Sequence, residues 1–405
     1  MQNRELRASG PLSRRRLLGL SGAAALGAVG ALRASQGMAL AAGEDGPQVV
    51  RRAVVAGIAA DSAGPPLVEK IGQMVLTGFT GLDAGPGTAI ASQLANYGQA
   101  GVVLFDYPVN GVPRNISSPP QLKALVGELL AAEPNLIVAC DEEGGLVARL
   151  DDSHGFPATV SEQYLGTIND PSVTYSHAAQ MGATLASMGI NLNFAPVVDV
   201  NVNPNNPIIG SLGRSFSADP DIVTSMAEAF IHGMHDNGVL CTLKHFPGHG
   251  SSTTDSHLGF VNVTNTWSAA ELEPFRDIIA DGLADAVMTA HIFNANLDPQ
   301  YPATLSYKTI TGILREQLGW DGVVFSDAME MRAITDNYGF EQAIVLAVGA
   351  GVDILQYGND GDDPTLVGRV IETIRQHVVS GAIPESRIDE SYLRVQALKK
   401  RLSFG

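Results

Sequence analysis

Eight short apolar runs recur along the chain and constrain its fold more than any other feature. None of them alternates polar with apolar residues, as expected for strands buried on both faces of a parallel sheet. Helix-like segments such as residues 220–238 and 305–319 lie between them, and residues 383–404 are typical of a closing helix. This order predicts an α/β fold, a single (β/α)8 TIM barrel with long βα loops. The runs are residues 71–79, 100–107, 135–143, 190–200, 238–246, 285–293, 322–330 and 351–358.

Polar residues gather at one end of these runs. In a barrel of parallel strands, the carboxyl ends converge on one face, and active sites lie on that face. Charges scattered at random through eight apolar runs would not favour one end. The sequence therefore predicts a shared site built from the residues that close the third to seventh runs, namely Asp141, Asp199, Lys244, His245, His291 and Asp327.

The amino-terminal segment has the features of an export signal. Three arginines, Arg14–Arg16, precede an apolar stretch that is too short and too rich in glycine and alanine for a good membrane span. The stretch leads to Ala39-Leu40-Ala41, which matches an A-x-A cleavage site. We expect a signal peptide of the twin-arginine type over residues 1–41, with a disordered basic tail as the alternative.

These boundaries predict a lead-in over residues 42–60 and one catalytic domain over residues 61–405. They also predict an exported protein, secreted, periplasmic or wall-associated, with no stable membrane anchor. The net charge of −17 argues against a nucleic acid partner, because phosphate contacts need Lys and Arg. The chain has two cysteines, Cys140 and Cys241, each inside an apolar run, so we favour two free buried thiols over a disulfide.

The segment "KHFPGHGSSTTDSH", which runs from Lys244 to His257, concentrates titratable groups where its glycines and proline exclude a regular helix. Asp255 and His257 are two residues apart, and in an extended loop this spacing puts both side chains on one side. A carboxylate beside an imidazole orients it and raises its basicity. We interpret the two residues as an acid/base pair.

Metal binding is the alternative interpretation of the same loop. Its three histidines and one aspartate could hold zinc. Metal-dependent barrel hydrolases also bring an H-x-H pair from the first strand, and "IGQMVLTGF" has no histidine. The sequence therefore favours a site without metal or cofactor.

Four residues in three motifs are the other candidates for the site. Asp327, in "VVFSDAMEM", is either a helix cap or a catalytic carboxylate. The presence of Lys244, His245, Arg149 and Asp141 among the other candidates favours catalysis. Asp141 and Arg149 flank the Gly-Gly turn of "DEEGGLVARL" and suit vicinal hydroxyls, although they could form a structural salt bridge instead. Arg214, in "GRSFS", is a second candidate for binding or else a solvated surface arginine.

Together these motifs resemble glycoside hydrolase family 3, in particular its bacterial β-N-acetylglucosaminidase branch. The resemblance covers nearly the whole chain after the export signal. It rests on the ordered set "DEEGG…R", "APVVDV", "GRSFS", "KHFPGHG" followed by "DSH", and "LREQLGWDGVVFSDAMEM".

The resemblance implies a role for each matching position. Asp327 matches the catalytic nucleophile, and His257, oriented by Asp255, matches the general acid/base. Asp199 matches a buried supporting residue, and we expect His249 and His291 to shape the loop or the pocket floor. The positions that match substrate-binding residues are Asp141, Arg149, Arg214, Lys244 and His245.

The implied activity is that of a retaining β-N-acetylglucosaminidase acting through a covalent glycosyl–Asp327 intermediate. We expect it to release terminal N-acetylglucosamine from cell-wall fragments or chitooligosaccharides, as a monomer whose partner is a carbohydrate. A phosphorylase of the same family is an alternative, because an imidazole repels an anionic acceptor less than a carboxylate does. A metal-dependent barrel hydrolase and a non-catalytic sugar-binding protein are alternatives from other classes.

Overall fold

The computed structural model describes residues 64–402, so the predicted export signal and lead-in lie outside the described residues. Within these residues, eight parallel strands form the central sheet, and four further short strands lie in the loops. The central strands are β1 Val75–Thr77, β2 Gly101–Leu104, β3 Ile137–Cys140, β6 Leu192–Asn193, β7 Leu240–Phe246, β9 Ala286–Thr289, β11 Val323–Phe325 and β12 Leu355–Tyr357. The loop strands are β4 Glu142–Gly144, β5 Val147–Ala148, β8 Val261–Asn262 and β10 Ile292–Phe293.

The central sheet curls into a nearly closed barrel. Its strand order is β11-β9-β7-β6-β3-β2-β1-β12, and every neighbouring pair is parallel. One further parallel bridge, between Phe325 and Ile354, joins β11 to the residue before β12. Each of the eight predicted runs contains one barrel strand, so the α/β prediction and the strand count are confirmed.

Helices connect the strands around the barrel. The predicted helix at residues 220–238 is present as Pro220–His235, helix α6, which begins after the N-cap Asp219 with Pro220 in its first turn. The predicted helix at residues 305–319 is present as Lys308–Gln317, with the wider hydrogen bonding of a π helix. The α helices are α1 Leu67–Gly72, α2 Ala89–Tyr97, α3 Pro119–Ala132, α4 Glu162–Ile168, α5 Pro171–Met188, α6 Pro220–His235, α7 Glu273–Ala280, α8 Arg332–Thr335, α9 Phe340–Ala350, α10 Leu366–Val379 and the predicted closing helix α11 Glu385–Lys399.

Burial on both faces explains why the strand sequences are continuously apolar. Along β2, Val102 and Leu104 belong to the cluster between strands and helices, whereas Val103 belongs to the cluster inside the barrel. The same alternation in β3 separates Val138 from Ile137. Because side chains point alternately to the two faces of a strand, both sets must be apolar.

The described residues include both cysteines and all the helices named above. Cys140 and Cys241 are free and buried, as predicted. Within residues 64–402, no helix has the length and apolar character that crossing a bilayer requires.

A buried carboxylate ties the closing helix to the barrel at the start of β12. Asp353 is fully buried and forms ion pairs with Arg315 of the π helix at 2.7 Å and with Arg387 and Arg394 of α11 at 3.0 and 3.5 Å. It also accepts the backbone N–H of Val324 in β11 at 3.0 Å. Burial tends to raise the pKa of Asp353, but the arginines outweigh it and lower the pKa below its usual value.

We predict that Asp353→Ala lowers the free energy of unfolding by about 3–5 kcal/mol, because it removes the fully buried carboxylate that three half-buried arginines share. Asp353 contributes this stability above the unfolded-state pKa of about 3.9, and the contribution is lost as the pH falls through the lower folded-state pKa. Urea unfolding at several pH values measures both effects.

Asp321→Ala is the matched control for this prediction. Asp321 pairs with Arg394 of the same helix at 2.8 Å, but its side chain is 74% exposed, so its removal should change stability little. Equal losses in the two variants would contradict the role given to Asp353.

Candidate active site

A network of buried charges occupies the carboxyl-terminal face of the barrel. Its centre is Glu143, which lies in the short hairpin strand β4 just after β3. One oxygen of Glu143 lies 2.6 Å from Lys244 Nζ. Arg214 binds both oxygens of Glu143, each at 2.7 Å. This bidentate contact and the lysine fix three side chains from three separate segments of the chain.

Asp141 connects this network to Arg149. Its two oxygens lie 2.8 Å from Lys244 Nζ and 3.6 Å from Arg149 Nη2. Arg149 also pairs with Asp106, at the end of β2, at 3.3 Å. The structure therefore brings Asp141, Arg149, Arg214 and Lys244 together in one cluster of opposite charges.

Two members of this network, Glu143 and Asp106, were not among the residues predicted from the sequence. Asp141 and Glu143 are two residues apart, so in an extended segment they share one side, and that spacing was the available signal. Glu142 points the other way and accepts the N–H groups of Arg149 and Leu150, each at 2.8 Å. Gly144 and Gly145 follow with φ of 95° and 62°, a backbone region that favours glycine.

The two neighbouring glutamates have opposite electrostatic environments. Burial tends to raise the pKa of Glu143, but Arg214 and Lys244 lower it to about 2. Burial raises the pKa of Glu142 to about 8, because its backbone donors only partly offset the loss of water. Glu143 is therefore ionised at neutral pH and holds the cations in place.

Asp199 organises the first part of the segment that runs from Lys244 to His257. Its side chain is fully buried; one oxygen lies 2.7 Å from His245 Nδ1, and the other accepts the backbone N–H of His249 at 2.7 Å. His245 Nε2 then lies 3.4 Å from Arg214 Nη2. Burial tends to raise the pKa of Asp199, but the two histidines lower it overall. Asp199 thus fixes the orientation of the His245 imidazole at the carboxyl end of β7.

Asp255 and His257 form the contact that their spacing predicts. The Asp255 carboxylate lies 2.8 Å from His257 Nδ1 and also accepts the backbone N–H of His257 at 2.8 Å. The imidazole is 59% exposed. Since Nδ1 donates to Asp255, Nε2 is the atom available for proton transfer. Burial works to lower the pKa of His257, but Asp255 and the charge of Asp327 raise it above its usual value.

Asp327 lies two residues after the end of β11 and is half-buried. It accepts the backbone N–H of Ala328 at 2.8 Å. Burial works to raise its pKa, but His291, His245 and His257 lower it below its usual value, in that order of strength. The carboxylate is therefore ionised at neutral pH and lies within the electrostatic field of the Asp255–His257 pair.

His291 supports the loop that carries Asp327. It is buried, with Nε2 donating to the Ala328 carbonyl at 2.9 Å and Nδ1 lying 2.8 Å from the Thr304 hydroxyl. Burial lowers its pKa, so it is neutral at pH 7. His249 is also buried, and its pKa is lowered to about 4, first by burial. The supporting role of these two histidines stays a prediction.

The described residues contain one group that could supply three metal ligands. Atoms of Asp106, Asp151 and His154 lie within 4.8 Å of one another. Asp106 already pairs with Arg149, and Asp151 accepts from His154 and Ser153 at 2.9 and 2.6 Å. Within residues 64–402, the histidines of the catalytic loop do not form such a group.

Comparisons with known proteins agree on one family. The profile of the glycosyl hydrolase family 3 N-terminal domain matches residues 66–398. A β-hexosaminidase from Xylella fastidiosa is 38% identical over 283 residues, which cover 66% of this chain and 80% of that protein. β-Hexosaminidase A from Pseudoalteromonas piscicida is 36% identical over 281 residues, but the match spans 65% of this chain and only 46% of that protein.

Solved structures of the same family share the fold. A family 3 β-N-acetylglucosaminidase from Paenibacillus superposes with a TM-score of 0.76 at 36% identity, covering 84% of this chain and 63% of that one. A β-N-acetylhexosaminidase from Beutenbergia cavernae gives a TM-score of 0.75 at 30% identity, covering 84% of this chain and all of that one.

Proposed function

The chain belongs to glycoside hydrolase family 3, and we propose that it is a retaining β-N-acetylhexosaminidase that releases terminal β-linked N-acetylglucosamine. The observation that carries the proposal is the pairing of an ionised Asp327 with the Asp255–His257 dyad on the same barrel face. The β-hexosaminidase names of the relatives support the sugar specificity. We also propose that residues 61–405 form one barrel domain whose long loops supply the site.

In the first step, Asp327 attacks the anomeric carbon and the bond to the leaving oxygen breaks. His257, as the imidazolium, gives its Nε2 proton to that oxygen, and a glycosyl–Asp327 ester forms. In the second step, neutral His257 takes a proton from water, the resulting nucleophile attacks the same carbon, and Asp327 leaves as a carboxylate. Two displacements at one carbon retain its configuration.

The two pKa shifts suit this division of roles. A nucleophile must be ionised, and the lowered pKa of Asp327 keeps it so. A general acid must be protonated at the working pH, and the raised pKa of His257 increases the imidazolium fraction near neutrality. The high exposure of His257 leaves it accessible to the leaving group and to water.

The buried charge network has the properties of a sugar-binding surface. Carboxylates and guanidinium groups fixed by one another offer acceptors and donors at set positions, which lowers the entropy lost when a sugar binds. We propose that Asp141, Arg149, Arg214, Lys244 and His245 bind the hydroxyls of the terminal sugar. Glu143 holds Lys244 and Arg214 in position for this purpose.

We predict that His257→Ala lowers kcat/KM by about 10²–10⁴-fold on substrates whose leaving group needs protonation. The loss should shrink on activated aryl N-acetylglucosaminides, because a leaving group of low pKa departs without a proton. The measurement is kcat/KM across a series of aryl N-acetylglucosaminides of graded leaving-group pKa. Asp255→Asn should show a milder loss with the same trend. A His257→Ala loss that does not grow with leaving-group pKa would show that His257 is not the acid.

We propose that the enzyme is exported and meets cell-wall fragments or chitooligosaccharides outside the membrane. The support is Arg14–Arg16 followed by the apolar stretch and Ala39-Leu40-Ala41. Replacing the three arginines with lysines should leave uncleaved precursor inside the cell, seen by immunoblotting of fractions. Mature protein that still reaches the outside in normal amounts would contradict the twin-arginine route.

A further inference from the structure

We call residues 244–257 the catalytic loop; its first part, residues 244–252, is buried, whereas the part that carries the acid/base pair is largely exposed except for one residue. Thr253, Thr254, His257 and Leu258 are exposed, and Asp255 is half-buried. Ser256, between the two members of the acid/base dyad, has only 1% of its surface exposed. A loop with few buried contacts opens easily, so its position depends on the contacts it does have.

Ser256 contacts two different elements of the active-site face. Its hydroxyl lies 3.3 Å from Nε2 of His249, which is itself buried. Its carbonyl accepts the backbone N–H of Ala333 at 3.2 Å. The side chain and the main chain of one residue therefore hold the loop from two directions.

The residues that contact Ser256, namely His249 and Ala333, are each connected to another part of the site. The backbone N–H of His249 donates to Asp199, which also orients His245. Ala333 lies in α8, the short helix that follows the loop carrying Asp327. Ser256 is thus the point where the acid/base loop is joined both to the sugar-binding end of β7 and to the nucleophile's segment.

We propose that Ser256, through its contact with His249, is a positioning residue that sets the Asp255–His257 pair relative to Asp327. This inference rests on the proposed function, because it presumes that His257 is the general acid/base. Proton transfer needs a hydrogen-bond geometry, so a small displacement of the imidazole lowers its efficiency. The contribution of Ser256 is then to catalysis through His257 more than to the stability of the fold.

The test is kcat/KM of Ser256→Ala across the graded aryl N-acetylglucosaminides. We expect a loss of about 10-fold on the substrate with the poorest leaving group and less than about 2-fold on the most activated one, a fraction of the general-acid effect. His249→Gln should give the same trend. The double variant should lose no more activity than the more impaired of the two single variants, because both changes remove the same contact.

Ser252→Ala is the matched control. Ser252 lies in the same loop and is fully buried, but its hydroxyl has no hydrogen-bond partner among the described residues. Its removal should leave the leaving-group dependence unchanged. Melting temperatures of all variants show whether each one folds.

The outcomes separate this inference from the proposed function. A uniform loss in Ser256→Ala, or no loss, overturns the positioning role while His257→Ala still shows the acid's trend. If His257→Ala also lacks the trend, the proposed function itself is wrong. A Ser256→Ala variant that melts like the wild type and loses activity only on poor leaving groups supports the inference.

Discussion

The active site depends on one fully buried carboxylate, Asp199. Its two oxygens contact His245 Nδ1 and the backbone N–H of His249, which lie on either side of the proline turn after β7. A buried charge without partners would be costly, so these contacts fix the course of the chain as it leaves the strand. His245 then faces Arg214, and His249 meets Ser256 in the acid/base loop.

Opposite charges are distributed so that each group has the protonation state its proposed role needs. Lys244 and Arg214 keep Glu143 ionised, and the histidines around Asp327 keep that carboxylate ionised. Asp255 and Asp327 in turn favour the imidazolium of His257. Glu142, adjacent in sequence but facing away, has its pKa raised to about 8 by burial, which its backbone donors and Arg149 only partly offset. The side of the strand on which each glutamate lies therefore determines whether its carboxyl group is ionised at neutral pH.

The sequence predicts the features that come from local pattern. Continuous apolar runs identify all eight strands, and the two-residue spacing predicts the contact between Asp255 and His257. Contacts between distant segments were not predictable in this way. Glu143 meets Arg214 and Lys244, and Ser256 meets Ala333, only because the barrel brings separate loops together. Likewise, the three arginines around Asp353 come from two helices whose packing no local pattern encodes.

The central claim is that Asp327 becomes covalently bound to the sugar. Incubation with a fluorinated N-acetylglucosaminide that carries a good leaving group should trap this ester, because the fluorine slows its hydrolysis more than its formation. Peptide mapping by mass spectrometry then locates the label. The account predicts one sugar per chain, attached to Asp327 in the peptide that contains "VVFSDAMEM". A label on another residue, or turnover of the reagent with no covalent adduct at any stage, would contradict it.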